Sequence, residues 1–424
     1  MNKILIFIFI CIFYPYEFWT QNNIHSEIVK YDSVFIMSGI DGISLLDMGD
    51  VVKKLFKNKR PPTPLLSNNS LNNLKDTLKD KVKKVNFAIF PAVGYALQTS
   101  TTAIIGMNIS FYNGKKENTN PSNININPLM SLKYKQYLLN VLSTIWTNKN
   151  QYNFVGDWRL YKYPTYTYGL GGNTQLKDAD LINYSYLRFY QTVLKKISTS
   201  NFYAGLGYNM DYHFKIYEIG KGIDFPAYNG NATQSISSGI STTLIYNTIK
   251  NINSPRNANY LGITYRRNEK KIGSNNNWQS IYLEAKKFIR FPAASENLLC
   301  FWNFNWFTFE GPPPYFDLPS TGWDANSNSG RGYIQSRLRG SNMIYLETEY
   351  RFSITKNRLL GGVLFLNCQS VTEQNSFQFL YFLPATGVGL RIKLNKISNA
   401  NLAIDYGFGL NGSRGLFFNI GEVF

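Results

Sequence analysis

The chain of 424 residues carries 44 Lys and Arg against 26 Asp and Glu, a formal charge of +18, together with 30 Tyr, 30 Phe and 7 Trp. The basic residues are spread along the chain, which argues against a nucleic-acid module; a Lys-, Asn- and Ile-rich residue usage accounts for the excess, with basic loops against anionic lipid headgroups as the alternative. After the first twenty residues no stretch approaches ~18 uninterrupted apolar residues, so a bundle of membrane helices is excluded.

The chain opens as a secretory signal over residues 1–20. Lys3 supplies the basic start, Ile4–Tyr14 the apolar stretch, and cleavage is expected near Thr20 or Gln21. Cys11 lies inside this leader behind Ile10, not behind the small residue a lipoprotein signal requires. Residues 21–85 are polar with two helical patches, one marked by Leu45, Leu46, Val52, Leu55 and Phe56, the other by Leu71, Leu74, Leu78 and Val82. They read as a short periplasmic lead-in, too small for a substantial domain.

From Asn86 to Phe424 the period is two. Ala103, Ile105, Met107, Ile109 and Phe111 share one face of a strand. Between 202 and 216, Phe202, Ala204, Leu206, Tyr208, Met210, Tyr212, Phe214 and Ile216 oppose Tyr203, Asn209, Asp211, His213 and Lys215. Such a length suits a tilted membrane strand better than a globular one. Sixteen strands are expected, near 86–97, 101–113, 128–137, 138–147, 151–162, 181–194, 201–216, 234–248, 258–269, 277–290, 297–309, 342–355, 357–370, 386–395, 399–410 and 412–424. An even antiparallel set closes a barrel with both ends on the periplasmic side. Loops 163–180, 217–233 and 310–341 then fall on the outer side; loop 114–127 is long where a short inner turn is expected. Cys300 and Cys368 are assigned to lipid-facing positions, and Trp146, Trp158, Trp302 and Trp306 to interfacial girdles.

Chemistry is sparse. His25 and His213 have no metal-ligand spacing. His213 with Asp211, near Ser235 and Ser237, reads as a lumenal polar group, not as a hydrolase site, which needs a nucleophile held beside its base. Gly169–Gly172 has no following helix and so makes no phosphate cradle.

The richest stretch runs from Glu310 to Phe352. A loop rich in Pro, Gly, Ser and Asn contains Gly330-Arg331-Gly332-Tyr333, with Arg337 and Arg339 behind it. The following strand places Met343, Tyr345, Glu347, Glu349 and Arg351 on one face and Ile344, Leu346, Thr348, Tyr350 and Phe352 on the other. In a soluble sandwich the apolar face would be the core; in a membrane barrel it meets lipid and the charged face meets the lumen. The run GRGYIQSRLRG followed by ETEYRF, supported by YGLGG at 168–172, GVGLRIKL at 387–394, NLAIDYGFGL at 401–410 and a terminal Phe424, resembles the BamA/TamA (bacterial surface antigen) family of outer-membrane barrels.

The resemblance implies an all-β fold, a sixteen-stranded antiparallel transmembrane barrel. Its sixth outer loop would fold inward and carry the tip Gly330, Arg331, Gly332 and Tyr333 into the lumen. The lumenal Asp that usually partners this Arg aligns with Asn367. Glu349 and Asp405 point lumenward by parity, so one of them is expected to balance Arg331; Arg391 joins the same lumenal set. Pro91 cannot donate to a ladder; it marks either a lateral seam between the first and last strands, together with Phe424, or a position where the first strand has no partner. The repeated periplasmic transport domains of the family have no counterpart in 21–85. The implied function is insertion or translocation of proteins or lipids at the outer membrane of a Gram-negative cell. It would use no cofactor, metal, nucleic acid or enzymatic step. Outer-membrane lipids are the expected surroundings, client outer-membrane proteins or periplasmic proteins the expected partners, and a monomeric barrel the expected state. The alternative is a passive pore or surface receptor on the same scaffold.

Overall fold

A computed structural model describes residues 46–48, 50–51 and, from 85 onward, all but 97–99, 132–134, 220–232, 250–254, 256, 325–326, 374–375 and 396–398. The leader and most of the lead-in segment lie outside the described residues. Aromatic and β-branched residues in alternation build sixteen long strands. These are β1 (Val85–Ala96), β2 (Ser100–Phe111), β3 (Ser122–Ser131), β4 (Tyr137–Trp146) and β5 (Tyr152–Lys162). There follow β6 (Asp180–Lys196), β7 (Phe202–Glu218), β8 (Gln234–Asn247), β9 (Ala258–Asn268), β10 (Trp278–Arg290) and β11 (Leu298–Phe309). The last five are β12 (Asn342–Ser353), β13 (Leu360–Val371), β14 (Leu383–Asn395), β15 (Ala400–Gly409) and β16 (Arg414–Ile420). Each pairs antiparallel with the next. A three-residue ribbon, Thr165–Thr167, extends the pairing of β6 past the end of β5. β16 returns beside β1.

The outward face is the apolar one. Leu160, Leu206, Ile240, Leu244, Ile263, Leu364, Leu366 and Val388 are all exposed. A soluble sheet would cover these side chains, whereas a bilayer covers them with lipid. Inward, Arg159, Arg188, Asp211, Arg266, Glu347, Glu349 and Asp405 are buried. A wall of sixteen strands encloses more space than its own side chains fill. The connection between β11 and β12 fills it, burying Tyr315, Leu318, Trp323, Tyr333 and Leu338 together with Arg331 and Arg339.

Four expectations change. The third strand starts at Ser122, six residues before its expected start, because Asn123, Asn125 and Asn127 alternate with Ile124 and Ile126 in a true ladder against β2 and β4. The connection after β2 shortens to 112–121 and is tied to the β4–β5 turn, Asn120 N–H donating to Asn150 Oδ1 at 2.7 Å. In β7 the alternation breaks at Lys215, whose φ of +53° makes a bulge; Ile216 turns inward and is buried with Tyr163 and Tyr184. On β11, Cys300 and Trp302 face the lumen, buried with Phe304, Met343 and Tyr345. Both faces of this strand are apolar, so alternation alone does not say which is inside. Trp146 is likewise buried, against Leu194 and Tyr203, while Trp158 stays exposed and stacks on Phe189 at 5.6 Å.

The fourth change is at the chain end. β16 stops at Ile420, and Gly421, at φ +104°, turns the backbone. Val423 and Phe424 then lie in the lumen, Phe424 only 4% exposed. Its ring stacks on Trp302 at 5.2 Å and sits 5.0 Å from the Arg351 guanidinium. Lipid would also accept a phenyl ring, so burial alone does not select the interior; the cation and the indole are found only there.

The outward assignment has a direct check. Leu366, 59% exposed in the middle of β13, is expected to cost about 2–4 kcal/mol when changed to Arg, as a charge at bilayer depth does. The same change at Phe377 of the β13–β14 loop, 80% exposed, is expected to stay within about 0.5 kcal/mol. Urea unfolding in lipid bilayers measures both.

Candidate functional site

The tip of the long loop is held against β12 to β15. Gly330 and Gly332 have φ of +78° and +101°, values that only glycine adopts without strain. Between them Arg331 is 2% exposed. Its Nη1 donates to Asp405 Oδ2 at 2.6 Å, and its Nη2 donates to Glu347 and Glu349. The guanidinium lies 3.8 Å from the centre of the Phe365 ring. Burial alone would drive Arg331 toward neutrality, yet the three carboxylates hold it protonated, with its pKa well above the ordinary arginine value.

The wall that receives the tip is stripped of side chains. A Cβ on Gly407 would lie 2.5 Å from the Gly332 nitrogen, and one on Gly409 would lie 2.6 Å from the Tyr333 ring. One on Gly389 would occupy the place of the Asp405 carboxylate. The glycines of GVGLRIKL and NLAIDYGFGL therefore form a trough the width of a backbone. Tyr333 closes it, donating to the Pro384 carbonyl at 2.6 Å and accepting from Leu410 N–H at 2.9 Å.

Of the residues expected in the site, Arg331, Glu349, Asp405 and Arg391 meet. Arg391 Nη1 donates to Asp405 Oδ1 at 2.5 Å, and its Nε donates to Glu422 at 2.9 Å. Asn367 does not pair with the guanidinium; its Nδ2 donates to the backbone carbonyl of Arg331 at 2.9 Å. A neutral amide is sufficient there, because the guanidinium already has three acids. Phe424 joins the network from inside, its carbonyl accepting from Arg351 Nη2 at 3.1 Å; it is not part of an outer-facing seam. Pro91 lies on β1 opposite Ile105 of β2, away from these residues. The sequence reading did not assign Glu347, Arg351 or Glu422 to the site. The parity that selected Glu349 selects Glu347 and Arg351 equally, whereas Glu422 comes in only through the turn at Gly421.

A second anchor holds the base of the loop on the opposite wall. Asp317 accepts from Ser237 Oγ at 2.5 Å, and Ser237 accepts from Trp278 Nε1 at 3.1 Å. His213 Nδ1 lies 3.7 Å from Asp317 Oδ1. Next to them Asp211 bridges Arg266 at 2.7 Å and Arg188 at 3.2 Å and accepts from the hydroxyls of Tyr186 and Tyr190. Burial, reinforced by the nearby Asp211 charge, pushes Asp317 up to about 7, against the opposing pull of Ser237, Arg266 and Arg188. Between the anchors, Tyr163 donates to Gln335 at 2.6 Å, and Arg339, 1% exposed, donates to the Tyr315 carbonyl at 2.8 Å. The YGLGG loop closes over them through Gly171 N–H to the Arg339 carbonyl at 2.8 Å.

No family model and no curated protein matches the sequence. Solved structures do match in fold. BamA from Haemophilus ducreyi lacking POTRA domains 1-3 aligns with a TM-score of 0.50 at 12% identity, over 88% of this chain and 81% of that one. CdiB from Acinetobacter baumannii aligns with a TM-score of 0.51 at 15% identity, over 80% and 60%. CdiB from Escherichia coli aligns with a TM-score of 0.50 at 9% identity, over 88% and 74%. The chain thus has the barrel fold of these proteins, at identities that speak to fold alone.

Two outcomes test the anchors. Arg331→Ala leaves Glu347, Glu349 and Asp405 buried with one fewer cation, so barrel stability in urea should fall by about 3–5 kcal/mol. For Asp317 the folded pKa lies above the unfolded one, so the folded state holds the proton between about pH 4 and about pH 7. Its contribution is complete on the acid side and is lost as pH rises through that window. The urea midpoint should therefore fall between about pH 4 and about pH 7 and level off above it, and Asp317→Asn should flatten that slope.

Proposed function

We propose that this chain assists the insertion or translocation of proteins, with lipids as the alternative cargo, at the outer membrane. It acts as a monomeric barrel, without a cofactor and without catalysing a covalent reaction. The observation that carries this reading is a thin seam in a wall whose lumen is already filled. β1 pairs with β2 over twelve positions. Its other edge faces β16, which has seven residues because Gly421 draws the chain inward. Among the described residues no ladder register joins β1 to β16. In lipid, backbone N–H and C=O groups without partners cost several kcal/mol each, and an incoming strand supplies partners by edge addition. A lumen occupied by the buried loop residues Tyr315, Leu318, Trp323, Arg331 and Arg339 supports a passive pore poorly.

Depletion of the protein followed by quantification of the outer-membrane proteome tests this reading. Several unrelated barrels or surface lipoproteins are expected to fall together; loss of this protein alone would replace the proposal with a receptor or pore. In planar bilayers the intact chain is expected to show little conductance, and deletion of 310–341 is expected to raise it to a stable open level.

A further inference from the structure

The turn end of the barrel holds a cavity of about 150 Å³ among the ends of β11 to β15, room for several waters at about 30 Å³ each. Four cations line it, Arg351, Arg358, Arg391 and Lys393, against two carboxylates, Glu296 and Glu422. That leaves an excess of two positive charges. Arg391 is satisfied by Asp405 and Glu422. Arg351 is paired with Glu349 at 2.6 Å but leaves one nitrogen over, and Arg358 and Lys393 have no carboxylate at hydrogen-bond distance among the described residues. Among the described residues the nearest carboxylate to Arg358 is Glu296 at 3.6 Å, beyond hydrogen-bond distance. Lys393 Nζ donates to the Asn399 carbonyl at 3.4 Å, and among the described residues no carboxylate lies within ion-pair distance of it. Arg351 is 8% exposed and keeps Nη1 without a partner although Nε and Nη2 are engaged.

Buried N–H groups that lack acceptors are rare in folded proteins. Forked guanidinium donors and an ammonium converging on one cavity match a tetrahedral oxyanion, which accepts from several directions at once. The two acids do not block it: Glu422 is taken by Arg391 and by Asn401 Nδ2 at 2.6 Å, and Glu296 lies on the Arg290 and Arg358 side. The amides of Asn357 and Asn399 add polar lining, and Leu46 closes the rim, its N–H donating to the Asn357 carbonyl at 3.2 Å.

We propose that this cavity is a binding site for a phosphate-class anion, supplied by a phospholipid headgroup or as free phosphate. The site shares Arg351 and Glu422 with the network that draws the chain end inward, but it is tested by anion binding and not by insertion, so the two readings fail separately.

The test uses the full chain, delipidated in maltoside micelles. Inorganic phosphate is titrated by calorimetry, and retention of phosphatidylglycerol over phosphatidylcholine is read by native mass spectrometry. Arg358→Gln and Lys393→Gln, neither of which touches Arg331, should each weaken binding about tenfold, as the loss of one charge-assisted hydrogen bond does. Arg358→Lys should restore most of it, and heat-modifiable mobility on gels confirms that each variant is folded. Binding of phosphate alone assigns the site to a free anion, and selective phosphatidylglycerol retention alone assigns it to a headgroup. Loss of both in the variants means that both share the site. If neither probe binds, or if the folded Gln variants bind as the parent does, the proposal is overturned.

Discussion

One buried guanidinium sets the terms for this barrel. Taking Arg331 out of water costs several kcal/mol even after relaxation, so the site exists only because Glu347, Glu349 and Asp405 converge on it from β12 and β15. Those acids have the converse problem: three carboxylates so close together repel one another without a cation among them. Neither half is stable alone, and the long loop is therefore committed to the lumen. The glycines of β14 and β15 make the approach geometrically feasible, and the aromatic residues of β10 to β12 supply the apolar packing around it.

The plug and the last strand are mechanically joined. Arg351 touches Glu349 of the tip network and the carbonyl of Phe424, and Asn328 of the loop donates to the Val423 carbonyl at 3.0 Å. Pulling the chain end inward shortens β16 and thins its edge against β1. The interaction that closes the lumen is thus coupled to the one that weakens the wall. An opening at the seam would have to disturb the Phe424–Trp302 stack and, through Arg351, the carboxylates around Arg331.

Sequence parity reaches far into this site because a strand has only two faces. The alternation over 342–353 places Glu349 beside its neighbours on the lumenal side, and the same rule applies to Asp405 and Arg391. Where parity carries no information, expectation and structure part. β11 is apolar on both faces, so Cys300 and Trp302 read as lipid-facing although they lie inside. A single left-handed residue at Lys215 reverses the face of Ile216. The Asn-Ile alternation of β3 hides a ladder behind polar side chains. Asn367 reads as a weakened partner for a side chain, when its partner is a backbone carbonyl.

The sequence by itself determined the class of the fold, the strand count and which side chains share a face, because period-two patterning is a local property of extended backbone. It also marked the loop tip, since Gly-Arg-Gly-Tyr puts a charge between two residues free to adopt positive φ. Only the tertiary structure decided that Arg331 meets three acids and not one, that Asp317 docks the far end of the loop, and that Phe424 turns inside. Each of these depends on where distant strands lie around a closed wall. No local pattern carries that distance.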